Sequence, residues 1–140
     1  MSTKFDKIDD IQKVTVWITN GLDAEAIKYS ELFGKELSPQ GSGKDKDALT
    51  TSQIRNIYGE VQRLKMKGFD KTSLLLLKPR LAYTTERKGT EGSKNFRKII
   101  DKALDAVLSS ATEEEKKIRF ENFANFFEAI LAYHRSFGGK

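Results

Sequence analysis

Between residues 53 and 67 the chain reads QIRNIYGEVQRLKMK, with Ile54, Ile57, Tyr58, Val61 and Leu64 recurring at steps of three and four. That spacing gathers the apolar side chains on one face of an α-helix. Thr50, with Gln53 three residues on, supplies a capping box before the run, and Gly68 a stop after it. The same period returns twice. Residues 94–108 line up Phe96, Ile99, Ile100, Ala103, Leu104, Val107 and Leu108 behind Ser93 as N-cap. Thr112 and Glu115 form a second capping box, and the acidic residues 113–115 suit the positive end of a helix dipole. Phe120, Phe123, Phe126, Phe127, Ile130, Leu131 and Phe137 then make a wide aromatic face, closed by Gly138 and Gly139.

The remaining segments carry less direction. Residues 22–33 read as a helix capped near Asp23 and stopped at Gly34. In KVTVWIT, Val14, Val16 and Ile18 alternate as in a strand, yet no second run can pair with it, so helix or irregular structure is expected there. Residues 35–49, KELSPQGSGKDKDAL, read as a flexible loop. Residues 74–87 read LLLLKPRLAYTTER: four leucines, apolar all round a helix as in a fully surrounded segment, run into Pro79. That proline removes a backbone donor and disfavours helical geometry at Lys78, so a kink or break is expected. The expected fold is all-α, a compact bundle of about five helices with a proline-kinked central helix, in a single domain over residues 1–140. A chain of 140 residues with 38% hydrophobic content is long enough for one core.

Several chemistries find no support. Without cysteine there are no disulfides and no thiolate metal sites. The opening MSTKFDKIDDIQK has no apolar signal region, and the longest strongly apolar run is residues 74–77, so a cytoplasmic protein without membrane association is expected. GSGKD at 41–45 lacks the glycine, the Ser/Thr and the preceding strand of a phosphate loop. His134, the only histidine, follows Ile130 and Phe127 on an apolar stripe and reads as a packing residue. Asp9, Asp10 and Glu113 to Glu115 suit solvation or capping rather than an acid/base pair. The expectation is a protein with no catalytic residue, no metal site and no cofactor.

Charge is more informative. Residues 1–50 hold 7 Lys/Arg and 9 Asp/Glu, residues 51–102 hold 13 and 5, and residues 103–140 hold 5 and 6. A basic block between near-neutral flanks fits a polyanion binder. Arg55, Gly59, Arg63 and Lys67 follow one another at four-residue steps, away from the apolar stripe of their helix. Gly59 costs about 1 kcal/mol there relative to alanine, and its missing side chain would let either a sugar-phosphate backbone or a neighbouring helix come close. Lys78 and Arg80 flank the proline elbow. Arg87 and Lys88 lie in the polar loop TTERKGTEGS, ahead of Lys94, Arg97 and Lys98 at the next helix start, where cations oppose the dipole unless an anion joins them.

Three blocks together, LTTSQIRNIY at 49–58, LLLKPRLAY at 75–83 and FFEAILAYHRSFGGK at 126–140, resemble the small subunit of the type III-A (Csm) CRISPR effector complex. The resemblance implies a small all-helical protein without nuclease activity, several copies of which stack into an inner filament beside the backbone and large subunits. It implies contacts with guide RNA and its paired target through basic surfaces that do not read sequence. On that account Arg55, Lys78 and Arg80 are the first candidates for phosphate contacts, followed by Arg87 and Arg97, while Arg135 and Phe137 are candidates for copy-to-copy packing. Two other readings fit a basic helical chain. A helix-turn-helix DNA binder would use KGFDK as its turn, but SLLLLK cannot present polar side chains to a groove. A helical protein–protein adaptor would leave the basic block unexplained.

Overall fold

The structure, a computed structural model, describes residues 8–39, 51–68, 70–86 and 91–138. Among them are six helices and no strand: α1 (Ile8–Asn20), α2 (Ala24–Leu37), α3 (Thr51–Lys67), α4 (Lys71–Glu86), α5 (Glu91–Leu108) and α6 (Glu113–Ser136). The all-α expectation therefore holds, with one helix more than the five expected. The added helix is α1, in which Trp17 decides between the two periods. Val14, Trp17 and Ile18 are buried at helical spacing, whereas Val16, which an alternating strand would bury with Val14 and Ile18, is 51% exposed.

The centre of the bundle is α6, which packs against α1, α2, α3 and α5. Two successive aromatic residues join the two sides. Phe126 meets Trp17 of α1 and Tyr29 of α2, with ring centroids 6.1 and 6.3 Å away. Phe127 stacks on Tyr58 of α3 at 5.8 Å and takes Phe96 of α5 edge-on at 5.5 Å. Both rings are fully buried, and each contributes about 2–3 kcal/mol through the apolar surface withdrawn from water. The helix also secures its neighbours' ends. Asn122 donates to the carbonyl of Ile18 at 2.9 Å, and Arg119 donates to that of Ala106 at 3.0 Å, so both serve carbonyls near helix C-termini.

Helix boundaries follow local chemistry, with some departures from expectation. Asp23 caps α2 by accepting from the Ala26 amide at 2.8 Å. Gly34 does not stop this helix, which continues to Leu37 and ends where Ser38 precedes Pro39. Lys35, Glu36 and Leu37 thus belong to a helix rather than to the expected loop, and residues 40–49 of that loop lie outside the described residues, as do GSGKD and Thr50. Ser93 is a buried residue inside α5 rather than its N-cap, because the helix already begins at Glu91. Thr112 does cap α6, accepting from the Glu115 amide at 3.1 Å, while the Glu115 carboxylate reaches back to the Ala111 amide at 3.0 Å.

The expectation for the leucine run is corrected in its placement and burial, and of the expected kink or break the break is not found. The helix carrying it, α4, packs mainly on α3 and α5 at the edge of the bundle, so it is not central. Only Leu74 and Leu77 of the four leucines are buried, while Leu75 and Leu76 are 45% and 53% exposed. Pro79 lies inside a continuous helix and does not break it. The proline is on the exposed side, where water can serve the Leu75 carbonyl that loses its amide partner.

Candidate nucleic-acid interface

The basic block folds largely onto the α3–α4 hairpin and the start of α5. Gly68, with φ of +90°, ends α3 and donates to the Leu64 carbonyl at 2.9 Å. Asp70 then caps α4 by accepting from the Ser73 amide at 2.7 Å, and this hydrogen bond holds the Asp70 carboxyl below the usual aspartate range. A turn this short between two helices makes an αα-hairpin and sets their exposed faces side by side.

On α3, Arg55, Gly59, Arg63 and Lys67 are all exposed, as their four-residue spacing requires. A Cβ built on Gly59 would meet nothing within 4 Å among the described residues, so none of the described helices packs into the space. Arg63 forms a two-pronged pair with Glu60, its Nε donating to Oε2 at 3.1 Å and its guanidinium Nη2 meeting Oε1. The hydrogen bond from Arg63 lowers the Glu60 pKa, and the charge of Arg80 on α4 adds to the effect. Glu60 thereby marks where the two basic helices converge. An exposed pair of this kind is weak and can exchange partners with an incoming phosphate.

The other candidates differ in placement. Burial acts to lower the Lys78 pKa, but Asp105 and Asp101 of α5 outweigh it and raise the value. Lys78 Nζ lies 3.3 Å from Asp101 and pairs with Asp105 as well, bracing α4 against α5. Arg80, unlike Lys78, is exposed and forms no ion pair with another described residue. Arg97 pairs with Glu86 at 2.6 Å beside an open cleft of about 230 Å³ lined by Thr85, Glu86, Lys94, Arg97, Lys98 and Asp101. Arg87 and Lys88 lie outside the described residues.

Sequence reasoning missed the acidic partners. Glu60, three residues before Arg63, could have been read from helical spacing. The partners of Lys78 depend on tertiary packing, and no local signal marks them. His134 is fully buried on α6, and among the described residues no group of three or more His, Cys, Asp or Glu is placed to hold a metal ion. No helix of the described residues is long and apolar enough to cross a membrane.

Fold and surface together define a small all-helical protein with a basic, exposed helical hairpin. The family model Csm2 Type III-A matches residues 24–140, and the chain belongs to that family. The match covers α2 to α6 and leaves α1 outside it. The family is that of the generally non-catalytic small subunit of the type III-A Csm effector complex, which other subunits complete. Neither the curated proteins nor the solved structures compared give a match.

Proposed function

We propose that this chain acts, as a single helical domain, as the RNA-contacting small subunit of a type III-A effector complex in the cytoplasm. Several copies stack into an inner filament and hold guide RNA and its paired target through phosphates, without reading sequence. The observation that carries this reading is the row Arg55, Gly59, Arg63 and Lys67, exposed along α3, where a Cβ on the glycine would meet no described residue within 4 Å. Arg80 extends the row onto α4. Arg97, with Arg87 and Lys88 preceding it in sequence, forms a second group. Lys78, held by two carboxylates, is assigned to bracing rather than to RNA.

The outward face of α4 argues against a helix-turn-helix reader, since it shows Leu75 and Leu76 where polar side chains would be needed. A few phosphate contacts per copy give weak binding that repetition along a filament strengthens. The test is binding of two unrelated RNA sequences to the purified chain and to a variant with Arg55, Arg63, Lys67 and Arg80 all changed to Ala. Similar affinities for both sequences, lost together in the variant, support the reading. A strong preference for one sequence, or unchanged binding by the variant, overturns it.

A further inference from the structure

The basic row of α3 contains its own opponent. Helix α3 carries Arg55, Arg63, Lys65 and Lys67, and Glu60 is the one carboxylate among them. It is also the carboxylate that takes Arg63, engaging the guanidinium at two points: Nε donates to Oε2 at 3.1 Å, and Nη2 meets Oε1. The other carboxylates beside the basic surface have partners of their own. Asp70, whose charge also reaches Arg63, accepts from the Ser73 amide. Asp101 and Asp105 hold Lys78, and Glu86 holds Arg97.

The two arginine pairs are built differently. The Glu60 side chain is 18% exposed against 49% for Arg63, whereas in the Glu86–Arg97 pair the carboxylate is the open partner, at 68% against 39%. At Arg63, therefore, the anion is set against the bundle and the cation faces water. The hydrogen bond from Arg63, aided by the charges of Arg63 and Arg80, lowers the Glu60 pKa, so the carboxylate is charged at neutral pH. A guanidinium fork matches carboxylate and phosphate alike. Any phosphate that takes both prongs of Arg63 must displace Glu60.

We infer that Glu60 is a built-in competitor for RNA phosphate at Arg63: its carboxylate fills the guanidinium fork in the unbound chain and gives it up when the sugar-phosphate backbone binds. The inference rests on the RNA reading above and adds how that face is held in check. Displacing Glu60 weakens each contact, so one copy binds poorly and RNA is retained where several copies act together. Glu60 acts through Arg63 and is a positioning residue, since it touches no phosphate itself.

The test is the affinity for one single-stranded RNA across a salt series, for the wild-type chain, Glu60→Gln, Arg63→Ala, the variant combining both, and Glu31→Gln. Glutamine keeps the size of the side chain and removes its charge. Glu31, exposed on α2, which packs on α5 and α6, loses the same charge away from α3. At low salt Glu60→Gln is expected to bind about threefold to fivefold tighter than wild type, with a steeper salt dependence, and Glu31→Gln to stay within about 1.5-fold. Without Arg63, the gain from Glu60→Gln should fall below about twofold. Circular dichroism should show one fold throughout, since Gln and Ala both suit a helix. Unchanged or weaker binding by folded Glu60→Gln overturns the inference while leaving phosphate binding intact. So does an equal gain from Glu31→Gln, which would mark net charge alone, or a full gain in the absence of Arg63. If neither the wild type nor Glu60→Gln binds RNA at any salt, the RNA reading itself falls, and the competitor with it.

Discussion

Two glycines inside helices, Gly34 and Gly59, lie in regions with opposite logic. Each sits where alanine would be better by about 1 kcal/mol on helix propensity alone, so each asks what its missing side chain provides. At Gly34 the answer lies within the chain. A Cβ there would come within 2.7 Å of the Tyr133 Cβ, 2.8 Å of the His134 nitrogen and 2.9 Å of the Ile130 oxygen, so the glycine lets α2 and α6 cross nearly backbone to backbone. At Gly59 a Cβ would meet no described residue within 4 Å, on a face bearing Arg55, Arg63 and Lys67. The first region is closed by its own packing. The second is left open by the described residues.

The largest expected effect separates these regions at once. Gly34→Ala must push rigid backbone apart and should destabilise the fold by about 3 kcal/mol, lowering Tm by roughly 10 °C. A Tm unchanged by that substitution would show that the α2–α6 crossing is looser than described. Lys78→Ala comes next, since it leaves Asp101 and Asp105 facing each other one turn apart without their shared cation. It should lower Tm less than Gly34→Ala and leave RNA affinity within about twofold of wild type. A large loss of RNA binding without loss of stability would move Lys78 to the interface.

Gly59→Ala sharpens the comparison because its two readouts should move in opposite directions. Stability is expected to rise by up to about 1 kcal/mol, seen in urea unfolding, while RNA affinity falls. Greater stability at unchanged affinity would leave the glycine without a role in close approach. The smallest effect concerns Asp70, whose carboxyl is held low by the Ser73 amide. A depressed folded-state pKa means stabilisation present above the unfolded-state value and lost as pH falls through the folded-state value. Asp70→Asn should therefore be slightly less stable than wild type at neutral pH and match it in strong acid, as thermal melts across that range would show.

The same contrast explains what could be read in the sequence. Helices α3, α5 and α6 were legible because each has an apolar stripe, and α3 and α6 also carry a polar or glycine signal at one end. The Thr112 cap and the Gly68 stop hold in the structure. In α1 the positions of Val14 and Ile18 fit both periods, and only Trp17 separates them. The leucines at 74–77 misled for a different reason: a run apolar on every side has composition but no direction. Placement at the edge comes from contacts with α3 and α5, which local pattern does not encode. The exposed row of α3 was legible, since it needs only the helical period. The split between Lys78 and Arg80 was not, because it depends on which way two carboxylates of a distant helix face.

The central claim is that the open face of α3 and α4 meets phosphates. It is tested most directly by the slope of log affinity against log salt for single-stranded RNA, with the wild-type chain and a variant changing Arg55, Arg63 and Arg80 to Ala. Each lost phosphate contact should flatten the slope, by about 2 in all for the three cations. A slope that stays the same in the variant would contradict the claim and return these arginines to the solvent or to a protein neighbour.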